Sequence, residues 1–272
     1  MKVVRELFQV DKAVIGVIHL PPLPGSPRYS GEDISSIIES ALRDARTLRD
    51  GGVDGIIIEN FWDMPYRKSS VSPSTIASMA VIAKELAREV NIPVGINVLR
   101  NDAVAALAIA KVAGGSFIRV NAYVEVMVTD QGVVEPCAYR VQMAKKIYRA
   151  ENVKVFADVH VKHGAPLAQR PVEIVAEEAL SRGLADAIIL TGPSTGIPPS
   201  LEEVRRVRTR LPRASIVIGS GCNPENIDEL FKLADAAIVG SYFKKGDLSS
   251  PVSKERVETF MSKVKEIRRR IA

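Results

Sequence analysis

The chain has 272 residues, of which 46% are apolar and 25% are charged, and its formal net charge is +5. This length and composition suffice for a large buried core and exclude a disordered chain or a small disulfide-stapled module. Two cysteines, a charged N-terminus and the lack of any apolar run near the ~20 residues of a membrane helix predict a soluble, cytoplasmic protein. Much of the positive charge lies from Lys263 to Arg270, where cations complement a helix dipole, so no nucleic-acid partner is expected.

In chain order, eight short, apolar and largely β-branched segments alternate with amphipathic helical segments. The predicted strands are Val14–Ile18, Gly55–Glu59, Val94–Val98, Phe117–Val120, Val153–Val159, Ala187–Leu190, Ile216–Ile218 and Ala236–Val239. Such an alternation gives parallel strands, covered on both faces and joined by right-handed crossovers. Eight of them close most simply into a single (β/α)8 TIM barrel of the α/β class, with a doubly wound open sheet as the alternative. We expect one domain over residues 1–272, with residues 1–12 as an N-terminal extension.

The connecting loops differ in length at the two ends of the predicted barrel. Helix-to-strand connections are minimal, such as Gly51-Gly52, whereas strand-to-helix connections are long, such as Asn121–Pro136. The long loops would lie at the C-terminal face, where TIM barrels build their active sites. Within Asn121–Pro136, alternating valines around Asp130-Gln131-Gly132 predict a small hairpin, which would serve as a lid or as a contact in a homo-oligomer.

The last two predicted strands, Ile216–Ile218 and Ala236–Val239, are each followed directly by a glycine and a serine. Between these strands, Asn223 and Pro224 are typical of a helix N-cap and of the first helical residue. Glycine lets the backbone approach a ligand, and free N–H groups with a helix N-terminus favour an anion. The same helix start would lower the pKa of Cys222, although nothing else marks it as a nucleophile. We predict a phosphate site formed by Gly192, Gly219, Ser220, Gly221, Gly240 and Ser241; the alternative is that these glycines only turn the chain.

Polar side chains at other strand ends predict an acid–base centre. With a side-chain period of two, Asp158, His160 and Lys162 would share one side of the fifth strand. Glu59 ends the second strand after a buried apolar run. We predict catalytic roles for all four residues, with Glu59 and Asp158 as the acid–base pair; the alternative is a buried ion pair. Lys162 would also suit Schiff-base chemistry.

Further strand ends supply groups that would orient a substrate. His19, Asn97, Arg119 and Asn121 fall at this level and are predicted to bind substrate, although Arg119 neutralising Glu59 or Asp158 is an equal alternative. Potential metal ligands are Glu59, Asp158, His160, His19 and His163. No spacing among these residues fixes a coordination geometry. The sequence therefore requires no cofactor, and a bound divalent metal is left as an alternative.

Several stretches together resemble the BtpA/SgcQ family. The matching stretches are Gly16–Pro27, Ile58–Pro65, Gly95–Asp102, Ile118–Asn121, Ala157–His163 and Gly219–Gly221, which run from the first strand towards the last. The resemblance implies a fold grouped with ribulose-phosphate-binding barrels. The family takes its name from a role in photosystem I biogenesis, and a relative is placed among sugar-metabolism genes. No reaction of the family transfers residue by residue.

These observations favour an enzyme that acts on a small phosphorylated metabolite, either a sugar phosphate or a nucleotide-derived compound. Isomerisation, aldol-type cleavage and glycosidic-bond hydrolysis all fit the predicted residues. The alternative is a non-catalytic biogenesis or assembly factor. Scarce glutamine and helices rich in Arg, Lys and Glu are typical of thermophile proteins.

Overall fold

The computed structural model describes residues 2–271 and contains a closed barrel of eight parallel strands. In chain order the strands are β1 Ala13–His19, β2 Gly55–Glu59, β3 Val94–Asn97, β4 Phe117–Val120, β5 Met127–Thr129, β6 Gly132–Val134, β7 Lys154–Val159, β8 Gly164–Pro166, β9 Ala187–Leu190, β10 Ile216–Ile218 and β11 Ala236–Val239. The barrel order is β1-β2-β3-β4-β7-β9-β10-β11, and β11 pairs with β1. The predicted TIM barrel is confirmed, and each barrel strand lies within one residue of its predicted bounds.

Helices surround the barrel and follow the predicted amphipathic segments. They are α1 Val3–Phe8, α2 Ile34–Asp50, α3 Pro73–Val90, α4 Ala103–Ala113, α5 Ala138–Ile147, α6 Val172–Ser181, α7 Leu201–Arg210, α8 Ile227–Leu233 and α9 Lys254–Ile271. Ser72 caps α3 through the N–H of Thr75, and Ser200 and Glu203 form a capping box at α7. Within residues 2–271, no helix has both the length and the apolar character needed to cross a lipid bilayer.

One predicted helix start is wrong. The helix after β10 begins at Ile227 rather than at Pro224, and Asn226 occupies its N-cap position. The side chain of Asn223 accepts hydrogen bonds from the backbone N–H groups of Glu225 and Asn226, and so closes a local turn instead. Asparagine favours such turns as readily as it favours a helix cap, which explains the difference.

The N-terminal end of the barrel is closed by apolar packing. Phe117 and Phe156 stack inside the barrel with ring centroids 4.7 Å apart. Phe8 of α1 packs edge-on against Phe117 at 5.9 Å, and α1 also buries Val3 and Val4 in this cluster. The opposite, C-terminal end therefore carries the polar side chains of the barrel interior.

The predicted hairpin is confirmed and belongs to a larger unit. Strands β5 and β6 pair antiparallel, and β8 from the loop after β7 pairs with the other edge of β5. Met127 and Val134 of this three-stranded sheet form a buried cluster with Ala122 and Val161. The third strand was not predicted, because Gly164–Pro166 has no strand-like pattern of its own.

Candidate active site

Two adjoining parts, which share lining residues, make up the cavity at the C-terminal ends of the strands. The chamber encloses about 300 Å³ and is lined by residues from the ends of β2, β3, β4, β7 and β9 and the loops that follow them. The second part, the recess, is smaller, at about 20 Å³, and lies at the ends of β1, β10 and β11. Four residues line both parts: Glu59, Arg119, Lys162 and Thr195. A ligand that occupied both parts would therefore pass directly over these side chains.

Strand register brings the first group of predicted residues together. His19 of β1 lies beside Glu59 of β2, which lies beside Asn97 of β3. The amide nitrogen of Asn97 donates to Glu59 Oε1 at 2.9 Å. The expectation that these side chains share one level of the barrel is confirmed.

Arg119 is the centre of a buried ion-pair network. Its Nε donates to both carboxylate oxygens of Asp158, at 3.2 and 3.1 Å, and its Nη1 donates to Glu59 Oε1 at 3.3 Å. Burial alone would raise the pKa of Glu59, but the charges of Arg119 and Lys162 and the Asn97 hydrogen bond bring it below its usual value. Glu59 is therefore held as a carboxylate. Of the two alternatives for Arg119, the structure contains the ion pairs with Glu59 and Asp158.

Asp158 is placed differently from the other predicted catalytic residues. Its side chain is fully buried, lines neither part of the cavity, and also accepts a 2.7 Å hydrogen bond from Asn121 Nδ2. Both carboxylate oxygens accept hydrogen bonds from Arg119, and Oδ2 also accepts from Asn121. Of the expected Glu59–Asp158 acid–base pair, only Glu59 therefore lines the cavity, whereas Asp158 holds Arg119 and Asn121.

Lys162 lies where the chamber meets the recess. Burial, followed by the charge of Arg119, lowers the pKa of its amine to about 8, while Glu59 and Asp158 act in the opposite direction. The amine donates no hydrogen bond to any of residues 2–271, whereas the backbone of Lys162 is fixed by Thr191 and Arg100. Lys162 therefore presents an amine that readily exchanges protons near neutral pH.

His160 does not join this group. Strand β7 ends at Val159, and His160 has a φ of +51°, which interrupts the alternation expected for Asp158, His160 and Lys162. Its N–H donates to Glu125 Oε1 at 2.7 Å, and its ring Nε2 lies 3.6 Å from Glu125 Oε2. His160 lines neither the chamber nor the recess, so the structure does not support its predicted catalytic role.

His19 forms part of the recess wall. Its ring packs against Phe61 with centroids 4.4 Å apart. Burial lowers its pKa to about 4, so the imidazole is neutral at pH 7. Its Nδ1 is buried and has no hydrogen-bond partner among the described residues. The ring therefore retains a buried polar atom, Nδ1, for a ligand.

The recess contains most of the predicted phosphate-binding residues. Its wall includes Gly219, Ser220, Gly221, Gly240 and Ser241, together with Thr195 and Gly196. At Gly221 φ is +71°, and a Cβ would lie 2.1 Å from the backbone nitrogen of Pro198. Only glycine satisfies both constraints there.

Gly192 does not line the recess. Its N–H donates to the hydroxyl of Ser220, which in turn donates to the carbonyl of Ile197. A Cβ on Gly192 would lie 2.4 Å from that carbonyl oxygen, so close packing of the β9 loop explains this glycine. The residues of that loop that reach the recess are Thr195 and Gly196.

The recess offers unpaired donors. Arg119 Nη2 is buried without an acceptor among residues 2–271, and lies 3.5 Å from where a Cβ of Gly219 would be. The hydroxyl of Ser241 and the backbone N–H groups of Gly221 and Ser241 also donate to no other described residue. A buried donor without an acceptor, such as Arg119 Nη2, is costly, and an anion would satisfy it together with the half-buried donors of Gly221 and Ser241.

Cys222 is a correction to the sequence interpretation. The thiol is buried, and burial raises its pKa to about 12. The expected lowering required a helix N-terminus at Asn223, whereas α8 begins at Ile227. Cys222 is therefore an apolar wall residue of the recess and is not activated.

Several chamber residues are not among the predicted site residues. They are Phe61, Met64, Tyr66, Leu99, Arg100, Asp130 and Val161. All lie in loops after barrel strands, and loop length at the C-terminal face was the only available signal. Which loop side chains turn inwards depends on loop conformation, which the periodicity of strands and helices does not report.

The potential metal ligands do not gather. Among the residues that the structure describes, no three His, Cys, Asp or Glu side chains converge as a metal site requires. His19 borders the recess, His160 faces Glu125, and His163 pairs with the hydroxyl of Thr195 at 2.9 Å. The three histidines therefore lie in different surroundings on the barrel rim and do not converge on one point.

Comparison with known proteins gives close relatives and more distant structural neighbours. The chain is 46% identical to an uncharacterized protein of Pyrococcus furiosus, over 93% of this chain and 95% of the relative. It is 42% identical to the photosystem I biogenesis protein BtpA of Synechocystis, over 96% of this chain and 91% of the relative.

Solved structures confirm the architecture. The chain superposes on orotidine 5′-monophosphate decarboxylase of Methanocaldococcus jannaschii with a TM-score of 0.58 and 18% identity, covering 95% of this chain and 99% of the other. It superposes on N-(5′-phosphoribosyl)anthranilate isomerase of Pyrococcus furiosus with a TM-score of 0.58 and 15% identity, covering 94% of this chain and 99% of the other. The model of the BtpA family matches residues 10–266. With that match and these relatives, the chain belongs to the BtpA family and folds as a TIM barrel.

Proposed function

We propose that this protein is an enzyme that acts on a small phosphorylated metabolite, with the phosphate in the recess and the reacting carbon atoms beside Lys162. One observation carries the proposal: Glu59, Arg119 and Lys162 line both parts of the cavity. A substrate anchored in the recess and extending into the chamber would place its middle portion against an amine, a carboxylate and a guanidinium. The amine suits proton transfer, while the carboxylate and the permanently charged guanidinium would stabilise charges that develop on the substrate and on Lys162.

The phosphate assignment rests on donors that lack acceptors. Arg119 Nη2 has no acceptor among residues 2–271, and Arg119, Gly221 and Ser241 all line the recess. TIM barrels commonly bind phosphate at the loops after their last two strands, here β10 and β11. The two structural neighbours are both named for phosphorylated ribose compounds, which is consistent with this assignment.

Lys162 is the proposed proton carrier. At a pKa of about 8, about one tenth of the amine is neutral at pH 7, compared with roughly one in three thousand for an ordinary lysine. Glu59 stays ionised and would stabilise positive charge as it develops on Lys162, while Asn97 orients Glu59. The unpaired Asn121 Oδ1 would accept a substrate hydroxyl.

This arrangement favours isomerisation or aldol-type cleavage over glycosidic hydrolysis. Both favoured reactions need an acid–base group beside a carbon atom, or an amine that forms a Schiff base. Hydrolysis of a glycosidic bond generally uses two carboxylates that flank it. Of the predicted pair, only Glu59 reaches the cavity, since Asp158 is enclosed by Arg119 and Asn121.

Calorimetric titration with inorganic phosphate tests the proposal. We expect the parent protein and a Ser241→Asn variant to bind phosphate, and a Ser241→Asp variant to bind at least tenfold more weakly, about 1.4 kcal/mol, because a carboxylate in the recess repels the anion. Ser241 is preferable to Gly221 as the altered residue, since any Cβ at Gly221 would strike Pro198. Equal binding by all three proteins, or none by the folded parent, would contradict the phosphate site.

A second candidate function rests on the name of the Synechocystis relative, photosystem I biogenesis protein. A non-catalytic assembly factor with this barrel would tolerate a Lys162→Met substitution in its cellular role. The enzyme proposal expects the same substitution to abolish that role while the protein remains folded. Complementation of a strain that lacks its own family member distinguishes the two.

A further inference from the structure

One part of the chamber wall is apolar and aromatic. The side chains concerned are Phe61, Met64, Tyr66, Leu99 and Val161, and the other lining residues are polar or charged. Pockets that bind small molecules combine apolar walls with placed polar groups. A flat ring would bury its apolar faces against Phe61 and Tyr66, whereas the hydroxyl groups of an open-chain sugar phosphate would make no use of these two aromatic rings.

A third cation, besides Arg119 and Lys162, lines the chamber. Arg100 is 5% exposed and lines the chamber. Its Nη2 donates to the carbonyl of Lys162 at 2.8 Å, and its Nε and Nη1 donate to no acceptor among residues 2–271. Burial lowers the pKa of Arg100, while the charges of Asp158 and Asp130 oppose that shift. Carbonyl oxygens at the edge of a ring would accept from these unpaired N–H groups.

A carboxylate completes the polar edge. Asp130 lies at the turn between β5 and β6, is exposed at the mouth of the chamber that it lines, and accepts from the Gln131 amide through Oδ2, which leaves Oδ1 for a ligand. Ring N–H or amino groups would donate to it. Because Arg100 supplies donors and Asp130 supplies acceptors, the chamber matches a ring that carries both kinds of group.

We propose that the chamber binds the heteroaromatic base of a ribose phosphate, so that the substrate class is a nucleoside 5′-monophosphate or a related base-bearing ribose phosphate. This inference rests on the proposed function, since it assumes that the phosphate occupies the recess. The ribose then lies beside Glu59, Lys162 and Asn121, between phosphate and base. Phe61 provides a ring face, and Arg100 and Asp130 read the edge of the base.

Affinities of matched ligands test the inference on the unmodified protein. Calorimetry would compare inorganic phosphate, ribose 5-phosphate, uridine 5′-monophosphate and inosine 5′-monophosphate. We expect at least one nucleotide to bind at least tenfold more tightly than ribose 5-phosphate, because stacking of a base on aromatic side chains adds affinity. Equal affinities for ribose 5-phosphate and both nucleotides would overturn the inference and leave the phosphate site standing.

A substitution then locates the base. Phe61→Leu should weaken nucleotide binding at least fivefold and leave the affinity for inorganic phosphate unchanged. The matched control is Tyr139→Leu, which alters an aromatic residue that is 78% exposed on α5 and away from the cavity. Unchanged nucleotide binding by folded Phe61→Leu, or an equal loss for phosphate and nucleotide, would contradict base binding. If no compound binds the parent protein, the proposed phosphate site fails as well.

Discussion

Arg119 decides the charge balance of the cavity at the scale of single residues. Its side chain is 2% exposed and neutralises two carboxylates, Glu59 and Asp158. Removing one partner of a buried ion pair leaves the other uncompensated, which typically costs 3–5 kcal/mol. A barrel that needed only stability would be equally well served by apolar residues here. The network therefore serves to hold Glu59 ionised and Arg119 fixed, with one Arg119 nitrogen left for a ligand.

Lys162 yields a prediction on pH. With a folded-state pKa of about 8, below the ordinary 10.5, the unfolded chain binds more protons between these values, so this group makes stability rise as the pH rises from 8 to 10.5. Lys162→Met lacks this effect. The stability gained from the substitution should be largest below pH 8 and vanish near pH 10.5, as measured by guanidinium unfolding at several pH values.

Competitive acetylation gives an independent measurement of the pKa of the Lys162 amine. The reactivity of Lys162, followed by mass spectrometry, should reach half its maximum near pH 8, whereas ordinary lysines do so near pH 10.4. A midpoint for Lys162 at the ordinary value would remove the basis for its proposed role in proton transfer.

At the scale of elements, the sheet of β5, β6 and β8 forms one side of the cavity. Asp130 of its turn and Val161, which packs against Met127, both line the chamber. Small three-stranded sheets depend on a few apolar contacts for their stability. The lid interpretation of the hairpin therefore predicts that the chamber opens through this sheet, whereas the alternative, a contact in a homo-oligomer, does not.

Hydrogen exchange tests that role of the sheet. Met127 is fully buried, so Met127→Ala should cost about 2–5 kcal/mol and speed amide exchange in residues 122–136 before the rest of the barrel is affected. Val128→Ala, at a side chain that is 42% exposed, is the matched control and should change little. Faster exchange spread evenly over the whole barrel would show that the sheet does not open independently.

At the scale of the whole molecule, the barrel has its aromatic packing at one end and its cavity at the other. Phe8, Phe117 and Phe156 fill the N-terminal end, while the polar network and the cavity occupy the C-terminal end. TIM barrels generally divide stability and function between their two ends in this way. Substitutions at the two ends should therefore have separable effects.

Phe8 provides the test of this separation. Phe8→Ala should lower the free energy of unfolding by about 3–5 kcal/mol, since it leaves a cavity against Phe117, and should leave phosphate affinity unchanged. The control Val112→Ala, at a side chain that is 66% exposed, should shift stability by no more than about 0.5 kcal/mol. Unfolding would be followed in guanidinium and affinity by calorimetry. A loss of phosphate affinity in folded Phe8→Ala would show that the two ends are coupled.

The sequence by itself determined the barrel, its strand bounds and the level at which its polar residues lie. Apolar runs such as Ile56–Ile58 and caps such as Ser72 depend only on residues close together in the chain. They can therefore be recognised in the sequence before the fold is known. Glu59, Asn97 and Arg119 were found because each occupies the end of a strand whose position the pattern fixes.

Only the tertiary structure decided which of these side chains reach the cavity. His160 turns towards Glu125 because the backbone leaves the strand conformation after Val159, and Asp158 is covered by Arg119 from a different strand. Arg100 reaches the chamber only through the conformation of its loop. Strand periodicity is a property of consecutive residues, whereas burial and pairing depend on residues far apart in the chain, so the composition of the site emerges only when the barrel closes.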